Sequence, residues 1–440
     1  MMGRANLVCA AVAVLGAAAF AAEPARNAVD DLKPGEWLEV PDSQMLKVAF
    51  QWPKGAVSTQ NGIGVAGVMS CWSGGAYDAK RDRLLVWGGG HFAYAGNEVY
   101  AFDVNALRWE RLCDPSLKTD TDYHAGSDVY EDGTPRSCHT YGSIQYVPTV
   151  DRLCSFGTCA NFPASKGGKT TWAFDFEKKL WEKKSPVASI GFESSSAWDP
   201  VSERLWCRMN GSGDLLEWEA VKDAWTKRAN HDNRYWDHSA AIDPVGRRYV
   251  GAGGKCVHAY DIGAEGKIAQ QKLATTGPQE VVESARNPGF QYDPVLDRFV
   301  AWDGGAALFT LDPATWEWRK HEPAAGNKVT PTAACANGTY GRFRYIPSKN
   351  AYVVVNDVKQ NVFIGRLSDR AAEPVPRRFV EALRTAKDAR LVRWVAGEVA
   401  RWPKDKAEPV LKEALAARKV SGDAEGAKAV EAALAAPAGK

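Results

Sequence analysis

Short apolar runs, each closed by glycines or by an aspartate, follow one another along most of the chain. Leu84-Leu85-Val86-Trp87 is one such run, of strand length rather than helix length, and Gly88-Gly89-Gly90 ends it. Asn97 to Phe102 forms the next strand, Asp103-Val104-Asn105 turns the chain, and a further strand carries Trp109. The same order returns as Trp172-Ala173-Phe174-Asp175 with Trp181, Leu216-Glu217-Trp218 with Trp225, His258-Ala259-Tyr260-Asp261, and Leu308-Phe309-Thr310-Leu311-Asp312 with Trp318. Ahead of the units stands a recurring turn: Tyr77-Asp78 with Arg83, Tyr146-Val147-Pro148 with Arg152, Trp198-Asp199-Pro200 with Arg204, Ile242-Asp243-Pro244 with Arg248, Tyr292-Asp293-Pro294 with Arg298, and a degenerate Tyr345-Ile346-Pro347.

The turns begin at positions 77, 146, 198, 242, 292 and 345, so successive copies lie 44 to 69 residues apart. A β-rich repeat of this period predicts four-stranded propeller blades. Six blades are expected, or seven if Phe50 to Val68 holds a degenerate one. The sixth has Val362-Phe363-Ile364-Gly365 but no following Trp strand, and the orphan Gly35-Glu36-Trp37-Leu38-Glu39-Val40 is expected to supply it, closing the ring without an open edge. The fold class is therefore all-β, with the propeller at 35–367. A tail at 375–436 has a helical pattern: Phe379 to Trp402, then Ala407 to Ala435 with a break at Ser421-Gly422. Two or three helices are expected there, as a solvated, partly frayed appendage or docked on the propeller or a protein partner.

The first residues bear on where these blades work. Arg4, the apolar and small run Leu7 to Phe20, and Ala19-Phe20-Ala21 read as an export signal over 1–22, which implies a secreted or periplasmic protein. No later stretch reaches the about 18 apolar residues of a membrane span. With 55 Lys and Arg against 53 Asp and Glu and no basic stripe before the tail, electrostatics make no case for nucleic acid. Eight cysteines follow the signal, an even number compatible with disulfides; Cys113 and Cys138 bracket one long loop, and Cys154 and Cys159 flank another turn. Neither C-x-x-C nor H-x-x-x-H spacing occurs, so the case for a zinc site is weak and no cofactor is expected, while a bound metal ion stays open.

The di-glycine, the spaced aromatic and Asp, and the Trp a few residues on resemble Kelch repeats of galactose-oxidase-like propellers, from Trp37 to Leu367. That resemblance implies the fold and leaves function open, because such propellers include oxidases, epimerases, lyases and adaptors. Copper-radical oxidation needs two Tyr and two His on one ion; the only Tyr-His pair, Tyr123-His124, falls in an insertion, so that ligand set is not recovered.

Loop length points to one face. Asp-led turns are short at one end of the blades, whereas Gln51 to Val68, Cys113 to Ser137 and Ala160 to Lys169 are long and lie at the other, the top. Five positions before the aromatic or Ile of each turn stand Trp72, Tyr141, Glu193, Asp237, Asn287 and Tyr340, which a ring of blades brings to the axis. Around them Arg234, Tyr235, His238, Arg286 and Arg342 complete an expected ligand-binding face for a glycan or other extracellular ligand. A second reading is enzymatic. His91, His139 and Tyr141 could exchange a proton while Arg136 or Arg234 pairs with a uronate carboxylate, as in propeller polysaccharide lyases, to which the arrangement is similar. A carboxylate pair for glycosidase chemistry could be built from Glu193 and Asp237, one blade apart, with no stereochemical outcome implied.

Overall fold

A computed structural model of the chain describes residues 27–436 apart from 57–58, 60–61, 91–92, 120–126, 158–167, 190–192 and 232–235. Six antiparallel four-stranded sheets stand in a ring as blades of a β-propeller, with their a strands side by side around the axis. Blade one runs through strands a (Gly75–Asp78), b (Arg83–Val86), c (Tyr100–Asp103) and d (Arg108–Arg111). Blades two to five repeat this order, with a strands Ile144–Val147, Ser195–Asp199, His238–Asp243 and Gly289–Asp293. Blade six has Phe343–Ile346, Ala351–Val354 and Phe363–Gly365, and its d strand is Trp37–Glu39. Trp37 pairs with Gly365, Leu38 with Ile364 and Glu39 with Phe363, so the orphan strand closes the ring. The segment after Phe50 makes a 3-10 turn and a one-turn helix α1 (Gly67–Ser70) in place of a seventh blade.

The turn signature of the sequence is the chemistry of the a–b turn. In blade one the Asp78 carboxylate accepts from the backbone N–H of Lys80 and Arg81, both at 3.1 Å, and Arg83 returns to it at 3.0 Å. The Tyr77 hydroxyl donates to Asp82, which occupies the left-handed region at φ 51°. Tyr292 with Asp297 and Tyr345 with Asn350 repeat that bond at 2.6 and 2.9 Å. Neighbouring turns are tied together: Arg81 bridges to Asp151, and Arg247 to Asp199. Cys113 and Cys138 are not joined to each other, and five of the seven described cysteines are buried; Cys159 lies outside the described residues. Cys154 and Cys207 behave as small apolar side chains of the core between blades.

A one-turn helix α2 (Glu280–Glu283) precedes blade five, and four helices follow blade six: α3 (Arg377–Thr385), α4 (Ala389–Val399), α5 (Lys404–Ser421) and α6 (Ala424–Ala435). The expected break is real, with Gly422 as a left-handed C-cap, but Phe379 to Trp402 is split as well. The tail is not a solvated appendage. Phe379, Leu383, Val392 and Val395 form one core with Val201 and Val295 of the blade turns. Arg378 bridges to Asp243 at 2.7 Å and to Asp297 at 2.9 Å. Among the described residues no helix is long and apolar enough to cross a membrane.

Candidate functional site

Each blade is joined to the next by a corner whose last residue leads into strand a. At all six corners that residue is the axial one picked out by spacing, and all six are left-handed: Trp72 at φ 47°, Tyr141 at 48°, Glu193 at 55°, Asp237 at 64°, Asn287 at 43° and Tyr340 at 49°. For residues bearing a Cβ this conformation costs about 1–2 kcal/mol each, and such strain concentrates at functional sites. The corners hold one another. Tyr141 N–H donates to the Trp72 carbonyl at 2.7 Å, Asn287 N–H to the Asp237 carbonyl at 2.8 Å, and Tyr340 N–H to the Asn287 carbonyl at 3.0 Å.

The ring is two-sided. Blades six, one and two contribute Tyr340, Trp72 and Tyr141; blades three, four and five contribute Glu193, Asp237 and Asn287. On the aromatic side Tyr141 and Tyr340, with ring centroids 6.1 Å apart, are a buried floor. Half-buried Trp72 and His139 stand 5.0 Å apart above it, and His139 Nδ1 lies 3.3 Å from the Tyr141 hydroxyl. Gly90 makes this approach possible: at φ +91°, a Cβ there would lie 2.8 Å from His139 Nε2.

On the acidic side Glu193 Oε2 accepts the Asp237 backbone N–H at 3.2 Å, which brings the two carboxyls to one edge of the mouth. Burial first, then the Asp237 charge, pushes the Glu193 carboxyl from its ordinary 4.5 up to about 7. Asp237 Oδ1 is bridged by Arg286 Nε at 3.0 Å. The Tyr340 hydroxyl is held protonated by burial and by these carboxylates. Its oxygen is buried and lacks a hydrogen-bond partner among the described residues, as does Asn287 Oδ1. Orphaned polar atoms of this kind ask for a ligand or water.

Other expected residues lie elsewhere. His238 is fully buried and turned into blade four, its Nδ1 2.7 Å from the Trp236 carbonyl. Asn287 is fully buried and donates through Nδ2 to the His238 carbonyl at 3.1 Å. Arg342 is fully buried too, its guanidinium donating to the carbonyls of Ser73, Gly338 and Val355. His238 and Arg342 brace the rim from beneath and are not presented to a ligand, whereas Asn287 braces it through Nδ2 and keeps Oδ1 among the orphaned atoms of the mouth. Arg136 lies over the Tyr130 ring at 4.9 Å and donates to the Val129 carbonyl, folded back on its own loop. His91, Arg234 and Tyr235 lie outside the described residues. Sequence reasoning passed over Trp236, which is 40% exposed beside Asp237; its tandem with Asp237 at an axial position was the available signal.

A cavity of about 250 Å³ lies at the opposite end of the axis from this titratable cluster. The aromatics and prolines of the a–b turns line it, and Trp394 and Glu398 of α4 close it. The tail thus meets the bottom end of the axis, opposite the rim cluster.

Fold and rim together define a six-bladed β-propeller with an axial, two-sided polar and aromatic site. No protein-family model matches the chain, and no curated protein matches it. Among solved structures it is similar to an auxiliary nutrient binding protein from Bacteroides ovatus, with 12% identity over 68% of this chain and 69% of that one and a TM-score of 0.43.

Proposed function

We propose that this chain is an exported, Kelch-type propeller that binds a neutral carbohydrate at the axial mouth of its top face. The observation that carries this reading is the division of the axial ring into an aromatic half and a carboxylate half. A pyranose ring has an apolar face that stacks on indole or phenol and a rim of hydroxyls that donate to carboxylates. Trp72, with Trp236 at the edge, offers the first surface; Glu193 and Asp237 offer the second. A neutral sugar fits better than a uronate, because Arg286, the cation beside the carboxyls, is already bridged to Asp237. Export rests on Arg4 and the apolar run to Phe20.

Calorimetric titration of the mature protein against matched neutral and uronic-acid oligosaccharides tests this. Binding of a neutral member, weakened about tenfold by Trp72→Ala and more by Asp237→Asn, is expected. Preference for a uronic-acid glycan, with release of an unsaturated product, would replace this reading with the lyase.

A further inference from the structure

Below the Asp237 corner, blade four assembles a cluster that no spacing in the sequence reveals. His238 begins strand a, and Cys256 begins strand c (Cys256–Asp261), which also carries His258. Between them runs strand b (Arg248–Gly253), where His238 pairs with Gly253, Gly253 with Cys256, and Gly251 with His258. Directly paired residues, and residues two apart on one strand, share a face of the sheet. His238, Cys256 and His258 therefore project from one face, and the strand separating them carries only glycine at the intervening positions. The space is used: a Cβ on Gly251 would collide with the His258 imidazole. All three residues are buried, and one potential ligand atom from each lies within 4.8 Å of the others.

We propose that His238, Cys256 and His258 form a buried binding site for a soft d10 metal ion, Zn²⁺ or Cu⁺. The donor set, two imidazole nitrogens and a sulfur, suits these ions and not Ca²⁺ or Mg²⁺, which take oxygen. The tautomer is already selected. A carbonyl can only accept, so His238 Nδ1 carries the proton donated to Trp236 at 2.7 Å, and Nε2 presents its lone pair to Cys256 Sγ at 3.5 Å. Two ligands on one tetrahedral ion, with bonds of about 2.3 and 2.0 Å, stand roughly 3.6 Å apart. Binding would release the Cys256 proton. An ion here ties the Trp236-Asp237-His238 corner to strand c and so fixes the left-handed Asp237 in the rim.

The test uses the full mature chain, loaded separately with Zn²⁺, with Co²⁺ as its spectroscopic substitute, and with Cu⁺ under reducing conditions, then desalted. One retained ion per chain is expected, with a thiolate-to-cobalt charge-transfer band and a raised melting temperature. Cys256→Ala and His258→Gln should each lose the ion, while Cys154→Ala in blade two keeps it. Retention of Zn²⁺ alone or Cu⁺ alone identifies which ion the site takes. If the variants do not fold, X-ray absorption of the loaded wild-type chain decides: one sulfur and two imidazoles around the ion support the site. Absence of retained metal, a coordination shell without sulfur, or undiminished binding by folded Cys256→Ala would each overturn it, leaving an ordinary S–H to imidazole hydrogen bond.

Discussion

One proton separates two states of the axial mouth. Because folded Glu193 holds its proton up to about pH 7 and an unfolded glutamate releases it near 4.5, the carboxyl supports folding fully below about pH 4.5, and that support is lost as pH rises through 7. Glu193→Gln keeps the neutral state at every pH. The variant should match the wild type in thermal melts below pH 4.5 and exceed it by about 1–2 kcal/mol above pH 8, after allowance for partial exposure. A difference that does not change with pH would show that Glu193 titrates alike in the folded and unfolded chain. The axial positions of both carboxylates were legible in the sequence, as a fixed offset from each turn. The hydrogen bond between the two residues was not, because 44 residues separate 193 from 237 and only the ring brings adjacent blades together. The same holds for His238: its offset placed it at the rim, yet strand alternation turns its ring inward beside Asp237.

The tail shows what periodicity can and cannot deliver for a whole element. Helical character was readable, and so was the stop at Gly422, since both are local properties. Docking was not, because Arg378 of α3 finds Asp243 and Asp297, which lie 135 and 81 residues upstream. Those two carboxylates sit almost wholly inside, so removing the guanidinium strands both. Arg378→Ala should cost about 3 kcal/mol. The loss should appear as faster amide exchange across α3 to α6 and around the a–b turns of blades four and five, with the top rim unchanged. If exchange in the tail stays at the wild-type rate, the apolar contacts of Phe379 and Val395 hold it unaided, and the ion pair is dispensable.

At the scale of the molecule, six blades were legible because each turn contains its own explanation in the Tyr hydroxyl, the Asp cap and the returning Arg. Closure was legible for a different reason: a blade short of one strand and a strand short of a blade need each other. The consequence is thermodynamic. Trp37 and Gly365 pair across the whole propeller, so the ring cannot lose blade six without exposing sheet edges and the aromatic wall it shares with blade five. Trp37 is buried in that wall beside Trp302, Phe343 and Tyr352, and its indole N–H donates to the Ala306 carbonyl at 2.9 Å. Trp37→Ala removes the ring and the bond together, a loss of about 3–5 kcal/mol. If closure couples all six blades, the urea midpoint should fall equally by far-UV circular dichroism and by amide exchange in blades two to four, far from the substitution. A ring whose blades unfold independently would instead lose protection in blades five and six first, while the far blades keep the wild-type midpoint. The distant blades are thus the informative ones, since only a closed ring transmits the loss of one indole to strands on the other side of the axis.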